Sequence, residues 1–447
     1  MIRFLMATFI SSLMTVATIA KPILEESLVV RDSDKTFLSL IASRPELVVD
    51  HVSGDGYEVY GPRGTKKWLD QIGAVSRWEQ PLLRSNLRDY PSPREVDLKI
   101  LEIAHKYPNL TKLEPIGTSL RKRPLMVLKI SDNPEVDEIE PEFKYIANMH
   151  GDEIVGRELM IRLIKDLLEN YESDPRIRSL VDNTEIFIMP TMNPDGAAVA
   201  RRWNGHGADL NRDFPDFSTS DNQNSAEGRE PETQAIMDFQ ARRHIALSTN
   251  FHGGAVVMNY AWDTMPDVHP LQELLLSLAS EYANAAPYMK DSSEFPGGIT
   301  NGYAWYEVNG GMQDWSYYWH NDLQFTVELS DIKWAPYSDL DYYYEQNRES
   351  MLSFMEAVHQ GAGFVLSQDE SDSHQNGQVD IYSISKEGDG SRKLLESRDY
   401  YNSEFYAVLP PGPYQFEIRS GSDWTRNLEV NIIRDTNMKN GNYFFLN

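Results

Sequence analysis

Four segments of this 447-residue chain carry residues whose types and spacing could do chemistry. In Met149-His150-Gly151-Asp152-Glu153, a histidine and a glutamate lie three apart, just after the apolar run Phe143–Met149. That run reads as a strand, and the carboxyl end of a strand in an open α/β sheet is where ligands sit. His with a carboxylate suits zinc, which also needs a third ligand and an open fourth position. His252, in Phe251-His252-Gly253-Gly254, follows a second apolar strand-like run and is the third candidate; two glycines there let the chain turn sharply. Arg201-Arg202-Trp203-Asn204-Gly205-His206-Gly207-Ala208-Asp209-Leu210-Asn211-Arg212 is a glycine-containing loop. An Arg beside an Asn in such a loop can grip a carboxylate through paired hydrogen bonds. Glu328 ends a further strand-like run, Leu323–Leu329, where a carboxylate can serve as general base to a metal-activated water. The other histidines, His51 among them, lack such a setting and are expected to be structural.

These residues need a scaffold. From about residue 94 to 359 the chain alternates strand-like and helix-like patterns. Helical spacing is expected over Val96–Tyr107, Leu159–Leu168, Pro270–Ala283 and Glu345–Val358. Strands are expected over Leu125–Ile130, Phe143–Met149, Ile186–Met189, Ile245–Phe251 and Leu323–Leu329. Such alternation predicts an α/β fold, a mixed, mostly parallel sheet with helices on both faces. Before it, residues 21–80 read as a small α+β unit with no obvious chemistry, with helices over Ser33–Ala42 (Ser33 as N-cap) and Thr65–Ile72. Residues 81–93 form a linker rich in Arg, Asp and Pro. After Gly361, five short alternating runs predict a β-sandwich.

Composition narrows the partners. Lys and Arg total 42 against 68 Asp and Glu, a net charge of −26, and no basic run stands out, so nucleic acid is not an expected partner. The chain has no cysteine, which excludes disulfides, thiolate metal sites and cysteine nucleophiles. Residues 1–20 carry Arg3, an apolar stretch from Phe4 to Val16 and small residues ending at Ala20, the pattern of a secretory signal peptide. The apolar stretch is shorter than the ~20 residues a membrane span needs, and no later segment is long and apolar enough. A secreted or periplasmic, bacterial protein without a transmembrane segment in its mature form is the expectation.

Taken in order, His150–Glu153, Asn193-Pro194-Asp195-Gly196, Asp209-Leu210-Asn211-Arg212, His252-Gly253-Gly254, Gly310-Gly311-Met312-Gln313-Asp314-Trp315 and Thr326-Val327-Glu328-Leu329 resemble the pattern of zinc metallocarboxypeptidases, the subfamily of carboxypeptidases N, E, M and D in particular. The resemblance covers residues from about 90 to 447 and leaves the first 80 without a counterpart. It implies a catalytic domain over 86–360 and a transthyretin-like β-sandwich over 363–447. It implies one zinc per chain, held by His150, Glu153 and His252, with Asp209 orienting His150. Glu328 would be general base and Arg202 would polarise the scissile carbonyl, with Arg201 its competitor. Asn211, Arg212 and Tyr306 would hold the substrate. Asp263, eleven after His252, and Gln313 would select C-terminal Lys or Arg. Asp152 replaces the family's frequent Asn and is expected to point away from the ion. The expected substrates are peptide or protein C-termini, and residues 21–80 are a possible pro-segment. Two rivals stand beside this reading: a zinc deacylase acting on N-acyl amino acids, and a non-catalytic peptide-binding protein.

Overall fold

The computed structural model describes residues 23–79, 89–366, 376–385, 390–420, 424–433 and 442–446. The expected signal peptide and the linker segment 80–88 lie outside the described residues. The amino-terminal unit is an antiparallel sheet of β1 (Glu26–Arg31), β2 (Val48–Asp50), β3 (Gly56–Gly61) and β4 (Val75–Trp78), in the order β2-β3-β1-β4. Leu28, Val30, Tyr57 and Val59 alternate onto the face that packs against Ile41 and Leu69 of two short helices. The helix expected from Ser33 starts later, at Leu38, and runs only to Ala42. Asp32 instead closes the turn before the helix: its carboxylate accepts the backbone N–H groups of Thr36 and Phe37 at 2.9 and 2.8 Å. Lys35 sits at φ 54°, so the chain turns there before a helix can form.

The main sheet has eight strands: β5 (Thr111–Thr118), β6 (Pro124–Ile130), β7 (Glu142–Ala147), β8 (Glu185–Met189), β9 (Ile245–His252), β10 (Val256–Tyr260), β11 (Ile299–Asn301) and β12 (Leu323–Leu329). Their order is β11-β10-β12-β9-β7-β8-β6-β5. The central strands β12, β9, β7 and β8 run parallel, β6 pairs antiparallel with β5 and β8, and β10 pairs antiparallel with β12 and parallel with β11. Side chains alternate between two faces. Phe143, Tyr145, Ile186 and Ile188 pack under the helices Val155–Asn170 and Leu340–Glu356, and Ile146, Phe187 and Met189 under Pro231–Gln240 and Met312–His320. Helices thus cover both faces, and the parallel strands read as continuous apolar runs for that reason. From β7 the chain goes to β8 on one side, then crosses to β9 on the other. This reversal opens a crevice at the carboxyl ends of β7 and β9.

Among its described residues the carboxyl-terminal part holds seven strands, two more than expected, in sheets β16-β13-β19 and β15-β14-β17-β18. They are β13 (Gly361–Leu366), β14 (Gly377–Ile384), β15 (Arg392–Tyr400), β16 (Glu404–Val408), β17 (Gly412–Ser420), β18 (Trp424–Ile432) and β19 (Tyr443–Leu446). Phe364 and Phe405 of the first sheet meet Tyr400 and Phe416 of the second, edge to face. No helix among the described residues is long and apolar enough to cross a membrane.

Candidate metal centre and substrate cleft

Three side chains converge at the crevice. His252 ends β9, His150 follows β7, and Glu153 precedes the helix that begins at Val155. His252 Nδ1 lies 3.0 Å from His150 Nδ1 and 2.8 Å from Glu153 Oε2, and His150 Nδ1 lies 2.9 Å from Glu153 Oε1. All three residues are buried. Two imidazole nitrogens and a carboxylate that face one another are a donor set that one cation satisfies at once. Nitrogen and oxygen donors of this kind suit zinc, and three protein ligands leave a position open. Burial and Arg202 oppose a charged His150, yet Glu153 and Asp209 push its pKa up to about 9, the mark of a site rich in negative charge. Asp209 Oδ1 is 3.1 Å from His150 Nε2, which fixes the ring with its Nδ1 toward the cluster.

The loops around the cluster are locked by backbone-directed hydrogen bonds. Asn148, at φ 58°, donates from Nδ2 to the carbonyls of His150 and Glu153 at 2.8 and 3.2 Å. Asn193 donates to the carbonyls of Met149 and Arg202 at 3.0 and 3.1 Å, tying the two loops together. Gly151 packs so closely on this turn that a Cβ would lie 2.2 Å from the Gly196 carbonyl carbon. Asn148 was not singled out in the sequence. Its signal, an Asn two residues before a candidate ligand, is weak without the left-handed backbone that requires it.

Arg202 is the buried member of its pair. Its Nε donates to Asp209 Oδ2 at 2.8 Å, and its Nη1 lies 3.1 Å from His150 Nδ1. Arg201 is exposed and stacks over Trp203. Glu328 is the register partner of His252 across the parallel pair β12–β9, so the two side chains share one level of the sheet. Its Oε2 is buried and has no hydrogen-bond partner among the described residues. Asp152 lies beside the ligands but is not part of the converging set, and burial pushes its pKa up to about 6.

Asp263, Gln313 and Asn259 form a buried cluster on the far side of the cleft. Asp263 Oδ1 accepts from Gln313 Nε2 at 2.9 Å and Asn259 Nδ2 at 3.0 Å. Its own N–H is held by Asp314 at 2.8 Å. A Cβ on Gly302 would stand 1.7 Å from Asp263 Oδ1, so only glycine there leaves room for this carboxylate. Burial pushes the Asp263 pKa up to about 7. Asn211 Oδ1 accepts the Met312 N–H at 3.0 Å, which ties the Asn211–Arg212 loop to the Gln313 loop.

The amino-terminal unit, read from sequence as lacking chemistry, reaches into this cleft. Asp50, at the end of β2, accepts from Arg202 Nη1 and from the Tyr306 hydroxyl, the latter at 2.6 Å. Arg212 Nη2 donates to the Val49 carbonyl at 3.2 Å, and Trp305 Nε1 to the Val52 carbonyl at 2.7 Å. His51 Nε2 lies 3.8 Å from Glu328 Oε1, so a histidine expected to be structural stands beside a candidate site residue. Burial alone would raise the Asp50 carboxyl, but Arg202 and His51 hold it well below the usual carboxylate range.

Comparison with known proteins agrees with this geometry. The zinc carboxypeptidase family profile matches residues 99–350, more than half of the chain. Human carboxypeptidase D is 34% identical over 94% of this chain and 31% of its own length. Mouse carboxypeptidase M is 35% identical over 71% of this chain and 74% of its own. The mouse carboxypeptidase N catalytic chain is 36% identical over 70% and 77%. This chain therefore spans about a third of the human carboxypeptidase D it matches. Among solved structures, carboxypeptidase A from Helicoverpa armigera superposes with a TM-score of 0.60 at 20% identity, over 76% of this chain and 98% of that one. Thrombin activatable fibrinolysis inhibitor superposes with a TM-score of 0.58 at 19% identity, over 75% and 99%. With the family profile over its sheet and relatives above 30% identity along most of its length, the chain belongs to the zinc carboxypeptidase family.

Proposed function

We propose that this protein is a metallocarboxypeptidase that removes one C-terminal residue, preferably Lys or Arg, from exported peptides or proteins. The observation that carries the reading is the converging His150–Glu153–His252 cluster with Glu328 in register with His252, while the buried Asp263 is tied to the Asn211–Arg212 loop through the Gln313 loop. His150, Glu153 and His252 would hold one zinc per chain, which when bound would supply the Lewis acidity that lets water act as a nucleophile at neutral pH. Glu328 takes the proton of the attacking water and returns it to the leaving amine. Arg202 stabilises the negative charge that develops on the scissile carbonyl oxygen. Asn211 and Arg212 grip the terminal carboxylate, and Tyr306 closes over it. Asp209 keeps His150 and Arg202 in place. His252→Ala removes one of three ligands and is expected to lose both bound zinc and activity; elemental analysis of the purified variant checks the first independently of the second.

Asp263 sets the preference in this reading. A Lys or Arg side chain gives this buried carboxylate a charge-assisted contact, worth roughly 1.5–3 kcal/mol, or about 10–150-fold in rate. The preference is also pH-dependent. Below about pH 7 Asp263 carries its proton and offers no charge; above it the carboxylate is ionised. The ratio of kcat/KM for Arg-ended over Leu-ended peptides is therefore expected to rise with pH through 7 in the released enzyme. Asp263→Ala should flatten that profile and spare the Leu-ended substrate. A steep profile retained in Asp263→Ala would place the selecting charge elsewhere.

Residues 21–80 act, in the same reading, as a pro-segment. Arg202, Arg212 and Tyr306 are three of the donors assigned to substrate, and the Val49–Asp50 segment engages all three. A substrate carboxylate and carbonyl need those donors, so peptide binding and docking of this unit exclude each other.

A further inference from the structure

The end of the main sheet opposite the cleft holds a second cluster of ligating groups. Glu142 opens β7 and Glu185 opens β8, and the two are register partners in a parallel pair. Neighbouring strands are about 4.8 Å apart, so two carboxylates stand side by side on one face. Both are buried, Glu142 at 4% exposure and Glu185 at 1%. Asp137, from the loop between β6 and β7, brings a third. One oxygen from each of Asp137, Glu142 and Glu185 lies within 4.8 Å of the others. The loop residues 131–141 carry five acidic residues and no Lys or Arg.

The neighbouring cations neutralise this group only in part. Lys129 Nζ is shared between Glu185 Oε1 and the Val136 carbonyl, each at 2.7 Å. Arg243 also faces Glu142, but its Nη2 donates to both oxygens of Glu114, at 2.9 and 2.7 Å. His244 gives Glu142 Oε2 only its backbone N–H, at 2.6 Å; burial pushes its ring pKa down to about 4, so the ring adds no charge. Glu185 Oε2 is left fully buried, with no hydrogen-bond partner among the described residues, and it belongs to a carboxylate that the group above already includes. Like charges directly opposed in a sheet repel, and a buried polar atom without a partner costs free energy. A dication between the three carboxylates answers both at once.

We propose that Asp137, Glu142 and Glu185 form a site for a hard divalent cation, calcium rather than magnesium, that ties the β6–β7 loop to the amino end of the sheet. An all-oxygen set separates this site chemically from the His-containing catalytic cluster. Three carboxylates on a loop and two strand ends suit the larger, more flexible coordination of calcium, whereas magnesium demands strict octahedral geometry. The inference is independent of the peptidase reading, because the two sites lie at opposite ends of the strands. The test is thermal unfolding and titration calorimetry of the zinc-loaded full chain with calcium chloride. A saturable rise of a few degrees in Tm at submillimolar to millimolar calcium is expected, since a ligand that binds only the folded state stabilises it. Glu185→Gln should abolish the rise. Asp137→Asn, on an exposed residue that does not threaten folding, should weaken calcium binding at least several-fold while leaving zinc content unchanged. No calorimetric binding, an equal rise with magnesium or with sodium chloride of matched ionic strength, or an unchanged calcium affinity in Asp137→Asn would each overturn the proposal.

Discussion

Glu328→Gln is expected to keep its fold and its zinc and to lose turnover by about 10³–10⁴, at the upper end of what one general acid–base group contributes. The size follows from a double duty: the same carboxylate takes the proton from water and returns it to the amine. Gln matches Glu in volume, and Glu328 is buried at the end of a fully buried strand, so the substitution leaves the packing of β12 intact. Its register with His252 places it beside the metal cluster, and Oε2 meets no donor among the described residues, so the group is held ready rather than tied up. Steady-state kinetics of the released enzyme, together with zinc content, checks this. Near wild-type turnover in a zinc-loaded Glu328→Gln would mean that another base does the work.

Cutting the chain within residues 81–88 is expected to raise activity on Arg-ended peptides by at least about 10²-fold. Each charge-assisted hydrogen bond is worth roughly 1.5–3 kcal/mol, and a tethered unit competes at an effective concentration of order millimolar. Substrate must displace Asp50 from Arg202 and Tyr306 and Val49 from Arg212. Asp50→Asn in the uncut chain keeps the shape but removes the charge, and it should recover part of that activity. The comparison is kcat/KM of uncut, cut and Asp50→Asn protein on one peptide. An uncut chain as active as the cut one would show that the unit does not block the cleft.

The metal cluster was legible in the sequence because its signal is local. His150 and Glu153 sit three apart after one apolar run, and His252 and Glu328 end two others; buried parallel strands are the runs that sequence shows best. Spacing from Asn211 favours Arg202 over Arg201, and burial separates the two in the same direction. Asp50 and His51 were not legible at all. They sit in Val48-Val49-Asp50-His51-Val52, an ordinary strand end, and acquire a role only when the whole unit docks 150 residues away in sequence from Arg202. Two of the missed strands share a cause. β5 contains Pro115 beside a register shift and lies at a sheet edge, where proline is tolerated. β15 is an edge strand dense in charge, as edges that avoid aggregation are. Both read from sequence as loop.

The central claim is that this cleft removes single residues from C-termini and prefers basic ones. The most direct measurement is mass spectrometry of a set of peptides that differ only in the last residue, incubated with zinc-loaded protein cut within residues 81–88. The account predicts loss of one residue's mass from the carboxyl end, fastest for Arg and Lys, and none after chelation. Cleavage from the amino end or inside the peptide, or no cleavage of any member of the set, would contradict it.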